Sequence, residues 1–189
     1  LLLQLLSHKA GTSLPHDFYV SPAAHEADLR HIWTREWVFA ANAAELPKAG
    51  NYVTLQIGSY PVVIVRGTDG QIRAFHNSCR HRGSRICSAS RGSQPKLVCP
   101  YHQWTYDLDG KLQWAPDMGP EFKPAEHGLM PVHCDIAAGM VFVCVADTAP
   151  DFAPVKAAAN RYAAPHRMDD LKVAHQSTII QKGNWKLVL

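Results

Sequence analysis

The feature that most limits the fold is a change of texture at Gly50. From there "NYVTLQIG", "PVVIVRG" and "QIRAFHN" are short runs rich in β-branched and aromatic residues, with "TDG" at 68–70 dividing the second from the third. Such side chains suit a pleated, half-buried surface, and an Asp-Gly pair suits a tight hairpin. The design recurs in "QWTYDLDGKLQWA", where Asp109-Gly110 separates two runs, and "GMVFVCVAD" at 139–147 reads as another buried strand. Short strands closed by tight turns predict a mainly β fold, with a compact antiparallel domain over 45–147.

The flanks differ. From Ser21 to about Trp37 a capping Ser, a Pro at the first helical position and apolar residues at Leu29, Ile32, Trp33 and Trp37 predict a helix. With "LLLQLLSHKAG" it forms an N-terminal helical arm over 1–44; that opening lacks the basic start and long apolar core of a signal peptide. After the β-domain, "TAPDFAPVKAAANRYAAPHRMDD" reads as a linker with one short helix. "LKVAHQSTIIQKGNWKLVL" alternates like a strand in need of a partner sheet. Residues 148–189 are therefore expected to be a linker and the first elements of a truncated α+β domain. A length of 189 residues accommodates one buried domain with appendages. A net charge of +3, interspersed with no basic stripe, argues against a nucleic-acid partner. No apolar run approaches the length of a membrane span.

Cys79, Cys87, Cys99, Cys134 and Cys144 make an odd count in a chain too long and too poor in cysteine for a disulfide scaffold. Cys134 and Cys144 sit in strand-like contexts as small hydrophobes. A reducing cytoplasm is expected, with cysteine used for metal. Cys79-x-His81 and Cys99-x-x-His102 are two arms, each with one thiolate and one imidazole. Zinc fingers generally keep their cysteines in one knuckle and their histidines in the other. Mixed arms suit a Rieske [2Fe–2S] cluster, in which one iron takes both cysteines and the other both histidines. Neutral imidazoles in place of two thiolates make an added electron less opposed, which places the potential between roughly −150 and +300 mV. Gly83 and Pro100 suit tight ligand loops.

At "CRHRGS" and "CPYHQWTYDLDG" the chain resembles the Rieske proteins. Respiratory members add a bridging cysteine to each box; Ser84 and Tyr101 stand there instead, and Cys87 is not aligned to replace one. The pattern is similar to Rieske ferredoxins and to the oxygenase α subunits of Rieske non-heme iron oxygenases. The latter resemblance runs from Ser21 onward and includes "NWK", a lead into a catalytic domain. Within that group "WAPDMGPEF" and "KGNWKLVL" resemble monooxygenases that demethylate glycine betaine or stachydrine.

The resemblance implies a [2Fe–2S] Rieske cluster on Cys79, His81, Cys99 and His102. It also implies a mononuclear Fe(II) in a catalytic domain, which this chain does not supply, so the chain alone should be inactive. The expected partners are a flavin- and iron–sulfur-containing NAD(P)H-dependent reductase, O2 and a small-molecule substrate. A homotrimer is expected, with His102 as the electron exit. An aromatic ring-hydroxylating dioxygenase α subunit, a stand-alone Rieske ferredoxin and a structural zinc domain are the rival readings.

His8, His16, His25, His31, His127, His133, His166 and His175 are isolated and read as non-ligating; His76 reads as structural. Arg80, Arg82 and Arg85 are either a positive rim for an acidic reductase or a solvated loop. Trp104 and Tyr106 are expected to pack beneath the cluster loops, and Trp33, Trp37, Trp114 and Trp185 in core or interface.

Overall fold

Strand Tyr60–Arg66 carries four consecutive fully buried residues, Val62 to Val65, so it must be covered on both faces. It is the third of ten strands in a computed structural model that describes residues 2–188. The strands are β1 (Val38–Asn42), β2 (Asn51–Ile57), β3 (Tyr60–Arg66), β4 (Ile72–His76), β5 (Arg91–Ser93), β6 (Leu97–Val98), β7 (Thr105–Tyr106), β8 (Leu112–Trp114), β9 (Pro131–Ala137) and β10 (Met140–Cys144). Seven form an antiparallel sheet in the order β1-β10-β9-β4-β3-β2-β5; β6, β7 and β8 form a second, three-stranded sheet.

Alternate residues of β3 feed two cores. Val62 and Ile64 pack with Val53, Ala74, Val141 and Val143 on one side. Val63 and Val65 pack on the other with Tyr52 and Phe75 of the same sheet, with Leu97, Tyr106 and Leu112 from the small sheet, and with Cys79 and Cys99. Each such valine contributes about 1.5–3 kcal/mol on burial, so β3 fastens the small sheet to the large one.

The expected turn at Asp109-Gly110 joins β7 to β8. Gly110 has φ +88, and a Cβ there would lie 2.4 Å from Phe75 Cε1. Strain from positive φ and overpacking act together, so Gly110→Ala should cost about 2–4 kcal/mol. A lowered urea midpoint with an unchanged slope would show it; an unchanged midpoint would refute it.

Helices occupy the flanks: α1 (Leu2–Leu6), α2 (Asp17–Val20), α3 (Pro22–Asp28), which continues as a π-helical turn over Leu29–Trp33, and α4 (Ala153–Ala163). Two expectations need correction. The arm over 1–44 is not helical throughout, because after Trp33 the segment Val38–Asn42 pairs with β10 as an edge strand of the large sheet, followed by a 3-10 turn at Ala43–Glu45. Residues 171–182 form no strand; alternation alone cannot satisfy a backbone that has no neighbouring edge. Ile179 and Ile180 are both exposed, and Trp185–Leu187 is a single 3-10 turn.

That turn is anchored on the helices. Asn184 Nδ2 donates to the Tyr19 carbonyl at 2.9 Å, and Trp185 Nε1 donates to Asp28 Oδ2 at 3.0 Å. Lys186 Nζ pairs with buried Asp28 and donates to the Phe18 carbonyl at 3.1 Å. The Trp185 ring meets Trp33 edge-on at 5.1 Å. Among the described residues no helix is long and apolar enough to cross a membrane.

Candidate metal centre

The loop after β4 closes on Asn77, whose side chain is buried. Its Oδ1 accepts from the Ile86 and Cys87 N–H groups at 3.1 and 2.9 Å, and its Nδ2 donates to the Cys87 carbonyl at 2.7 Å. The amide thereby bonds through both its oxygen and its nitrogen, and it pins the base of the loop that carries Cys79 and His81. The second loop, with Cys99 and His102, is the connection of the β6–β7 hairpin.

The two loops share one closure. Cys79 N–H donates to the Ser84 carbonyl and Gly83 N–H to the Cys79 carbonyl, at 2.8 and 2.9 Å. Cys99 N–H donates to the Trp104 carbonyl and Gln103 N–H to the Cys99 carbonyl, both at 2.9 Å. The fifth residue of each turn is left-handed, Gly83 at φ +71 and Gln103 at φ +60. Glycine takes that conformation freely, whereas Gln103 holds it within the closed turn.

These turns place the expected donors as two pairs, the thiols in one buried core and the imidazoles side by side. Cys79 and Cys99 are buried, and the His81 and His102 rings lie 4.7 Å apart between centroids. The Nδ1 atoms of His81 and His102 are buried without a hydrogen-bond partner. Two orphaned imidazole nitrogens side by side are costly unless something else takes their lone pairs. Burial, then His102 and Arg82, holds the His81 pKa below its usual value, which keeps the ring neutral as a metal ligand requires. Burial raises the Cys79 pKa, against an opposing Tyr106 hydrogen bond, so its thiol ionises only with a cation at hand. Among the described residues, no three Cys, His, Asp or Glu side chains gather to hold a single ion. The donor set instead divides by element, a thiol pair and an imidazole pair, which fits a two-iron group.

Two aromatics support the donors. Trp104 is buried and stacks on His81 at 4.9 Å with an interplanar angle of 8°. The Tyr106 hydroxyl lies 3.3 Å from Cys79 Sγ and accepts from the Arg80 N–H at 3.0 Å. A thiolate has no proton to give, so the phenol donates to the sulfur, and burial raises its pKa and keeps that proton in place. Hydrogen bonds to sulfur favour the more negative, reduced state of a cluster. Tyr106→Phe should therefore lower the midpoint potential by about 40–80 mV if the bond is worth ~1–2 kcal/mol more in the reduced state. An EPR-monitored titration measures this, and an unchanged potential would refute the assigned bond.

The packing of Trp104 and Tyr106 beneath the loops agrees with expectation, but the Tyr106 hydroxyl and the Asn77 staple were missed. A polar "HN" ending an apolar strand was the available clue to the staple. Tyr101 is exposed and lies over His102 at 3.7 Å. All five cysteines are free. Burial pushes the pKa of Cys87 up to about 11 and, with Asp135, that of Cys134 up to about 12, as expected for inert thiols. His76 lies at the end of β4, half-buried against Tyr60.

The chain is 49% identical over 178 residues to the glycine betaine monooxygenase oxygenase subunit of Chromohalobacter salexigens, covering 94% of this chain and 40% of that protein. It thus spans less than half the length of that relative. Its fold matches the apo form of the quaternary ammonium Rieske monooxygenase CntA with a TM-score of 0.85 and 29% identity, over 93% of this chain and 52% of that one. Naphthalene 1,2-dioxygenase from Rhodococcus sp. matches with a TM-score of 0.69 and 31% identity, over 73% of this chain and 32% of that one. The family model described as "Rieske [2Fe-2S] domain" matches residues 36–144, from just before β1 to the end of β10, and the chain belongs to that family.

Proposed function

We propose that Cys79 and Cys99 hold one iron and His81 and His102 the other iron of a [2Fe–2S] cluster. The chain would then be the electron-transfer portion of an oxygenase subunit acting on a glycine betaine-like quaternary ammonium compound. The observation that carries the cluster assignment is the pair of orphaned Nδ1 atoms on the same two turns that hold the two buried thiols. When bound, the cluster supplies one-electron redox chemistry. The protein's part is positional: the matched turns aim the donors, Asn77 pins the first loop, Trp104 fixes the His81 ring and Tyr106 donates to the Cys79 sulfur.

The substrate class rests on likeness to the glycine betaine monooxygenase subunit and to CntA, which covers more of the chain than the likeness to naphthalene dioxygenase. On this reading residues 1–44, 45–147 and 148–189 are the arm, the cluster domain and the approach to a catalytic domain. That domain would hold a mononuclear Fe(II), with His102 facing it in a trimer. An NAD(P)H-dependent reductase supplies electrons in the cytoplasm.

Two measurements test the reading. The protein reduced by dithionite should give the EPR signal of a Rieske cluster, with iron and acid-labile sulfide in equal amounts. The full-length subunit with a reductase, NAD(P)H and O2 should release formaldehyde from glycine betaine. A colourless zinc protein would end the cluster assignment; turnover of an aromatic compound without any of glycine betaine would end the substrate assignment.

A further inference from the structure

Between Asp69 and Asp107 there is no acidic residue, while Arg73, Arg80, Arg82, Arg85, Arg91 and Lys96 all fall in that stretch. The fold neutralises half of these cations. Arg73 pairs with Asp69 at 2.6 Å, Arg91 with Glu45 at 3.4 Å, and Lys96 with Asp107. Arg80, Arg82 and Arg85, all exposed on the first cluster loop, make no ion pair among the described residues. Among the described residues the side-chain hydrogen bond of Arg85 goes to the neutral Gln56 amide, at 2.9 Å. The second loop shows the opposite character, with exposed Pro100, Tyr101 and Gln103 and no charge.

Transient encounters are steered by charge, whereas lasting interfaces favour aromatic and apolar surface. We infer that Arg80, Arg82 and Arg85 form the docking surface for an acidic electron-donor protein, on the His81 side of the site. This rests on the function proposed above and names the partner surface of the same site. A protein fits better than a nucleic acid, because the three cations occupy one short loop and do not extend into a track along a phosphate backbone.

The test uses the full-length subunit carrying its cluster, with an acidic flavodoxin as probe. Binding is measured by calorimetry at about 10 mM and about 150 mM salt, where the screening length falls from about 30 to about 8 Å. Changing the three arginines to glutamine should weaken binding roughly tenfold at low salt, and changing them to glutamate should weaken it further. Both losses should shrink at the higher salt. Unchanged affinity in both triple variants overturns the inference, as does a loss that is equal at both salts. Duplex DNA or anionic vesicles that bind the unaltered subunit as tightly as flavodoxin, and are lost in the same variants, would also overturn it. An unaltered subunit with no Rieske EPR signal instead overturns the proposed function, since binding is read separately from the cluster.

Discussion

Cys99→Ser is expected to give a colourless protein with iron and acid-labile sulfide near background and no EPR signal on reduction. A serine hydroxyl is a harder donor than a thiolate and stays protonated at neutral pH, so under the proposed ligation one iron would lose one of its two thiolates. The large sheet should survive. Its core of Val62, Ile64, Val141 and Val143 lies on the opposite face of β3 from Cys99. Far-ultraviolet circular dichroism should therefore keep its β-sheet signature while colour is lost. Cys134→Ser is the control: that thiol packs against the other core and should leave the cluster intact. Full iron loading and a reducible signal in Cys99→Ser would show that the ligand set is wrong.

Trp104→Ala should be the most destabilising single change at the site, by about 3–5 kcal/mol. The indole is 2% exposed, lies flat on His81, and touches Phe122 and His127 at centroid distances of 5.4 and 5.9 Å. Its removal leaves a cavity directly beneath the His81 ring. Because domains are stable by only about 5–15 kcal/mol, the urea midpoint should fall sharply. Trp104→Phe keeps a stacking ring and should recover much of the loss. If alanine and phenylalanine variants unfold at the same urea concentration, the stack on His81 contributes nothing.

What could be read from sequence alone follows the range of each interaction. The four proposed donors stand out in the sequence because each Cys–His pair sits within a few residues on one loop, and the Asp109-Gly110 turn was legible because its chemistry is local. The strand Val38–Asn42 was not, since "VFAAN" acquires its conformation from pairing with β10, far along the chain. Residues 171–182 show the converse: an alternating pattern records a preference but supplies no neighbour to pair with. The Tyr106 hydroxyl reaches Cys79 across 27 residues, and no spacing rule announces such a contact. The positive φ of Gln103 was equally hidden; it became visible only beside the matching turn that contains Gly83.

The seat of Asn184, Trp185 and Lys186 on the early helices works as a buckle between the two ends of the described chain. Asp28 is nearly sealed from water, and Lys186 is the cation beside it. Stripping away the buckle would strand a carboxylate indoors, which costs several kcal/mol, and α3 would be the first element to loosen. Amide exchange in α3 should therefore keep pace with that of Trp185–Leu187, leaving the turns of Cys79 and Cys99 to follow their own clock. Any shorter form of this protein that is meant to keep its first helices must retain both halves of the clasp.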